Sequence, residues 1–152
     1  MAVTILALPM ISIVQASRIK EPYYVEYGVM PVSGPTVEKE VGVVEIKRGR
    51  VFQGPYDGPL GVGTMTAELM ITMENPKNEV TIFKNTLEIT SGPYGAFTLV
   101  GTSHFKADED GYVRGKTVLQ GKSEVGQITI IADKGFKPPP KPIWEEGVLI
   151  HP

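Results

Sequence analysis

From Gly63 to Gly126 the chain alternates apolar and polar residues in short runs, each closed by a glycine-bearing turn: Ser91-Gly-Pro-Tyr-Gly, Asp108-Glu-Asp-Gly and Val125-Gly-Gln. A side-chain period of two places neighbouring residues on opposite faces of a strand, and glycine supplies the turn conformations that let strands return antiparallel. The pattern predicts a small, strongly curved antiparallel sheet. No window of about a dozen residues carries apolar positions at helical spacing without Gly, Pro or β-branched interruption, so the expected fold is all-β.

Strands are expected near residues 23–28, 36–47, 61–73, 80–90, 95–106, 111–119 and 127–132. Within them Met65, Ala67, Leu69, Ile71 and Met73 share one face, as do Phe83, Leu87 and Ile89, and Phe97, Leu99, Ser103 and Phe105. This odd-numbered face is the candidate interior, with Leu69, Phe83, Phe97 and Phe105 as its lining. Seven or eight strands in one domain leave a barrel or a sandwich, and closure into a single antiparallel barrel of about eight strands removes exposed edges.

Two segments stand outside that barrel in the sequence reading. Residues 1–16 are apolar and end in small residues but lack a basic start, and Pro9 with several β-branched residues fits a strand or arm better than a signal peptide or helix. They are too few for a membrane span. Residues 134–152, with Pro138, Pro139, Pro140 and Pro142, read as an extended arm docking through Trp144, Val148 and Ile150, either on its own barrel or on a neighbour. The expected organisation is therefore a barrel domain over 1–133 and a Pro-rich arm over 134–152.

Composition removes several function classes. The 152 residues hold no cysteine and only two histidines, His104 and His151, so neither disulfides nor a common zinc site is expected. Fifteen Lys+Arg against 17 Asp+Glu give a formal net charge of -2 with the signs interleaved, which is not the basic stripe of a nucleic-acid binder. Gly61-Val-Gly-Thr lacks the strand-to-helix context of a phosphate loop. A cytoplasmic location is the expectation.

Tyr94-Gly95, Gly101, the acidic turn Asp108 to Gly111 and Gly126-Gln127, together with Val25-Glu26 and Gly34-Pro35 upstream, resemble the pattern of the allene oxide cyclase family, whose fold is an eight-stranded antiparallel barrel. The resemblance covers about residues 23 to 132. It implies Glu26 as the pocket carboxylate, Pro35 at the barrel mouth, Phe52 and Gln53 near the family's aromatic and amide pocket residues, and Phe83 in the pocket. The chain departs from the family at Leu69, where a pocket cysteine stands, at Ser103, where a tyrosine stands, and at Gly28, where an asparagine stands.

The function expected from this reading is a cofactor-free cyclase or isomerase that folds a flexible apolar substrate into a reactive shape inside the barrel and excludes water. Glu26 is its catalytic candidate, and Pro35, Phe52, Gln53, Leu69, Phe83, Phe97, Ser103 and Phe105 are its substrate-binding candidates. A homo-oligomer is expected, with no nucleic-acid partner. The competing readings are an assembly protein, such as a capsid decoration or filament subunit with clasping arms, and a passive carrier of apolar ligands.

Overall fold

The computed structural model describes residues 17–42, 44–75, 78–107, 112–136 and 142–152. They form eleven strands: β1 (Ile19–Tyr27), β2 (Met30–Pro31), β3 (Val37–Val41), β4 (Val44–Arg48), β5 (Val51–Gly58), β6 (Gly61–Asn75), β7 (Asn78–Ser91), β8 (Phe97–Ala107), β9 (Val113–Ser123), β10 (Gly126–Phe136) and β11 (Ile143–His151). Every pairing is antiparallel. No helix among the described residues is long and apolar enough to cross a membrane.

The turns follow the glycines. Gly95 (φ 78°) and Gly126 (φ 130°) hold conformations that a side chain disfavours, at the β7–β8 and β9–β10 connections. The acidic turn at 108–111 lies outside the described residues, but β8 and β9 on either side of it pair from Val100↔Gln120 to Ala107↔Val113, as a hairpin requires.

The sheet runs β1-β11-β10-β9-β8-β7-β6-β4-β3, with β5 also on β6 and β2 on β5. β6 is long enough to serve two partners: Gly61 to Glu68 pairs with β5, and Thr72 to Glu74 pairs with β4. The strip then rolls until its ends meet. The Tyr23 and Tyr56 hydroxyls of β1 and β5 lie 3.3 Å apart, and a Cβ on Gly54 would sit 1.8 Å from the Gly28 carbonyl oxygen. Inner-face glycines let the strip bend, since a Cβ on Gly101 or Gly115 would lie 1.7 Å from the backbone oxygen of Val118 or His104 respectively.

The expected closed barrel of about eight strands is thereby corrected to an eleven-stranded sheet that does not close. No ladder joins β1 to β5. The link at that edge is the two-residue pairing of Met30 and Pro31 with Gln53 and Phe52. Pro31 and Pro55 lack an N–H, which removes donors from the segments that meet there.

Two expected boundaries also move. The single strand expected at 36–47 is the hairpin β3–β4, turned at Gly42 (φ 63°). The expected C-terminal arm instead belongs to the sheet: β10 continues through Lys134 to Phe136, and β11 lies between β10 and β1. Pro138 to Pro140 and the N-terminal segment 1–16 fall outside the described residues.

The odd-numbered face is interior as far as Leu69. Met65, Ala67, Leu69, Leu87, Ile89, Phe97, Leu99 and Phe105 are buried there, joined by Leu119, Ile128, Ile130 and Leu149 from the other strands. Each such side chain removes enough apolar area to contribute about 1.5–3 kcal/mol. Between Leu69 and Ile71 a β-bulge shifts the register, so Leu69 pairs with Phe83 but Ile71 with Ile82. The extra residue, Met70, is exposed. Beyond it the phase reverses, and Thr72 bonds Thr81 (7 % exposed) through their hydroxyls at 3.1 Å. Ile71 thus leaves the face that the sequence pattern assigned to it.

Candidate functional site

At one end of the roll the interior is charged. Lys134 of β10 and Glu145 of β11 are register partners facing inward, 3 % and 0 % exposed, with Nζ 3.0 Å from Oε1. Glu145 stands opposite Val25, so Tyr23 and Tyr27, two residues away on the same face of β1, flank it. Tyr27 donates to Oε1 at 2.6 Å and Tyr23 to Oε2 at 3.3 Å. With the single Tyr23 proton directed at Glu145, the Tyr56 hydroxyl is the donor in the Tyr23–Tyr56 contact.

Burial, and then the Glu145 charge, push the Tyr23 and Tyr27 phenols well above the ordinary tyrosine range. Burial pushes Tyr56 up to about 12. All three therefore act as proton-bearing hydrogen-bond donors at neutral pH. The Lys134 ammonium also lies 5.3 Å from the Tyr27 ring centre and 5.9 Å from that of Phe105.

A neutral polar chain continues around the inner wall. Asn85 Nδ2 donates to Ser103 Oγ at 2.6 Å, Ser103 donates to Thr117 Oγ1 at 2.8 Å, and Thr117 donates to the Thr102 carbonyl. Asn85 is fully buried, yet its Oδ1 has no partner among the described residues. An unpaired buried acceptor costs about 1–3 kcal/mol.

Four phenylalanines line the same end edge to face. Phe52 meets Phe83 at 5.8 Å, Phe83 meets Phe105 at 5.8 Å, and Phe105 meets Phe136 at 5.7 Å between ring centres. Phe52, Phe83 and Phe136 are half-buried, so solvent reaches this aromatic row next to the charged centre. Together they form an apolar wall beside one carboxylate, one ammonium and three phenols.

The residues singled out in the sequence separate into groups. Phe52, Phe83, Phe105 and Ser103 belong to this end; Leu69 is buried beside Phe83, its register partner, and Phe97 is buried near the other end of β8. Pro35 is half-buried in the loop between β2 and β3. Gln53 is exposed and donates to Thr66 Oγ1 at 3.3 Å.

Glu26 does not meet the expectation of a pocket carboxylate. It is exposed on the outer face of β1, opposite Trp144, and accepts a hydrogen bond from Tyr24. Alternation is the reason: with Val25 and Tyr27 turned inward, Glu26 must turn out. Among the described residues the buried carboxylate is Glu145.

Sequence reasoning missed Lys134, Glu145, Tyr23, Tyr27 and Tyr56. A usable signal existed for Lys134, because the inner period Ile128, Ile130, Ala132 continues directly to it.

Compared with models of protein families, with characterised proteins and with solved structures, the chain matches none. Fold and site together define a rolled, all-antiparallel β protein with a buried Lys–Glu–Tyr centre at an aromatic end.

Proposed function

We propose that the chain is a cofactor-free cyclase or isomerase acting on a flexible apolar substrate that carries an oxygen function. The observation that carries this reading is the inward-facing Lys134–Glu145 pair with its phenol donors. Burying such a pair contributes little net stability, because desolvation offsets the attraction. Buried ionisable clusters beside an apolar wall are characteristic of functional sites.

In this reading the phenylalanine row holds the hydrocarbon in a reactive conformation and excludes water. Lys134 polarises a substrate oxygen, Glu145 accepts a proton and returns it, Tyr23 and Tyr27 hold the carboxylate in place, and Asn85 Oδ1 takes a hydroxyl elsewhere on the substrate. The resemblance to allene oxide cyclases favours the same chemistry, with Glu145 in the role expected of Glu26.

The test has two arms. A fluorescent polyene fatty acid should bind saturably at one site and be displaced by unsaturated epoxides, whose conversion is followed by chiral chromatography. Glu145→Gln should lower turnover by about 10²-fold or more. Absence of saturable polyene binding, or an unchanged rate in Glu145→Gln, overturns the proposal.

One observation favours the assembly reading. Val118, Ile131 and Val148 are register neighbours across β9, β10 and β11, and all are exposed on the outer face. An apolar row of this kind suits a subunit contact. Oligomers that dissociate in Ile131→Lys without loss of polyene binding would assign that face to assembly and leave the interior to its ligand.

A further inference from the structure

On the outside of the roll, β11, β10, β9 and β8 carry their side chains in registered rows that cross all four strands. One row reads Glu146, Asp133, Lys116, His104, since Asp133 pairs with both Glu146 and Lys116, and Lys116 pairs with His104. The row beside it reads Val148, Ile131, Val118, Thr102. All eight are exposed, because Ile130, Ala132 and Lys134 turn inward on β10 and alternation sends Ile131 and Asp133 out. Val148, Val118 and Ile131 keep 38 %, 40 % and 49 % of their surface in water.

The polar row changes character at its midpoint, with carboxylates on β11 and β10 and N–H donors on β9 and β8. A row of this kind is complementary to itself reversed. A two-fold axis running along the strands, between β9 and β10, exchanges β10 with β9 and β11 with β8 and keeps each row on its own level. Asp133 then meets Lys116 of a second copy, and Glu146 meets His104 of that copy, whose ring N–H donates to the carboxylate. The same rotation sets Ile131 on Val118 and Val148 on Thr102. An axis across the strands fails. It lays each charge either on its own like or on the row of Ile150, Thr129, Gln120 and Val100, which holds no cation.

From this pattern we infer that the outer face of β8 to β11 binds a second copy of the chain face to face, in a two-fold dimer with an aliphatic row at its centre and two Asp133–Lys116 contacts beside it. The inference rests on the assembly reading of this face and draws nothing from the interior centre. Aliphatic burial supplies the attraction, and the charged row fixes the orientation. Strands about 4.8 Å apart and rows about 6.8 Å apart make three rows on four strands a patch of about 19 by 20 Å. Such a patch is at the small end of specific interfaces, so the dimer is reversible, with Kd on the order of 10 μM.

Sedimentation equilibrium of the full chain tests this. Lys116→Glu and Asp133→Lys should each weaken self-association by about 30-fold or more, because each makes both symmetry-related contacts like-charged. An equimolar mixture of the two variants should dimerise within about threefold of the unaltered chain, since every introduced charge then meets its opposite on the other molecule. Positions 116 and 133 carry like charges within each variant, so a purely intramolecular effect cannot produce that rescue. An unaltered chain that is monomeric at about 100 μM overturns the inference together with the assembly reading, and leaves the face to a different partner. An oligomer that neither variant weakens, or a mixture that stays monomeric, overturns the inference alone.

Discussion

Glu145→Leu strips Lys134 of its counter-ion while leaving the ammonium where its side chain is 3 % exposed. The rings of Tyr27 at 5.3 Å and Phe105 at 5.9 Å stay beside it, and neither carries a negative charge. Breaking a buried pair this way costs about 3–5 kcal/mol, and orphaning the Tyr27 hydroxyl adds about 1–3 kcal/mol. The two together remove about 4–8 kcal/mol from a domain stability of about 5–15 kcal/mol. Lys134→Met should be milder, about 3 kcal/mol, because Glu145 keeps both phenol donors. The double variant Lys134→Met/Glu145→Leu buries no charge and orphans chiefly Tyr27, since Tyr23 still has Tyr56. It should therefore be more stable than Glu145→Leu alone by about 3 kcal/mol. Urea unfolding of all four proteins measures this, with stability read as midpoint times slope. A double variant no more stable than Glu145→Leu would refute the reasoning, because two additive losses mean that Lys134 does not depend on Glu145 for its charge.

Alkaline stability follows from the phenols. Tyr56 holds its proton up to about 12 in the folded state against about 10 unfolded, so its contribution is complete below pH 10 and disappears as pH rises towards 12. Between pH 8 and 11 the stability lost should be about 1.4 kcal/mol smaller in Tyr56→Phe, read from denaturant melts, and equal slopes would contradict the assignment. Gly101→Ala drives a Cβ to 1.7 Å from the Val118 carbonyl oxygen and should lower stability by more than about 2 kcal/mol; an unchanged melting temperature would mean the bend is not fixed there. Gly42→Ala meets no atom within 4 Å, so only its left-handed backbone is at stake, and the loss should stay near 1 kcal/mol by the same assay.

The all-β class was legible because period-two alternation and glycine turns act locally. β6 to β10 are therefore close to their expected places. β5 was hidden by Gly54, Pro55 and Gly58, which read as turn residues, but here Gly54 allows close approach to Gly28, Gly58 leaves room for Val25 and Tyr56, and Pro55 stands exposed in its strand. The bulge at Met70 was hidden for another reason. Nothing in Leu69-Met-Ile-Thr departs from a regular strand, and the extra residue shows only when β7 is laid alongside. Closure is a property of two distant segments meeting, and no local pattern reports whether β1 and β5 share a ladder or only side chains.

The site was legible in its aromatic wall and not in its charges. Glu26 and Glu145 show why. They stand one residue apart along the same ladder, Glu26 opposite Trp144 and Glu145 opposite Val25, and they face opposite sides of the sheet. Residue type cannot separate them; strand phase does. On β1 the phase is set by Tyr23, Val25 and Tyr27, which turn inward and send Glu26 out. On β11 it is set by Leu149 and His151, and counting back by two through Gly147 reaches Glu145. A lone charge on an inner position breaks the apolar alternation at a high desolvation cost, so it reads as evidence for the other phase. An opposite charge at the registered position of the adjoining strand removes that contradiction, as Lys134 does for Glu145. The searchable unit in a rolled sheet is thus the cross-strand pair of opposite charges at inner phase, and a single conspicuous carboxylate is a poor guide to the interior.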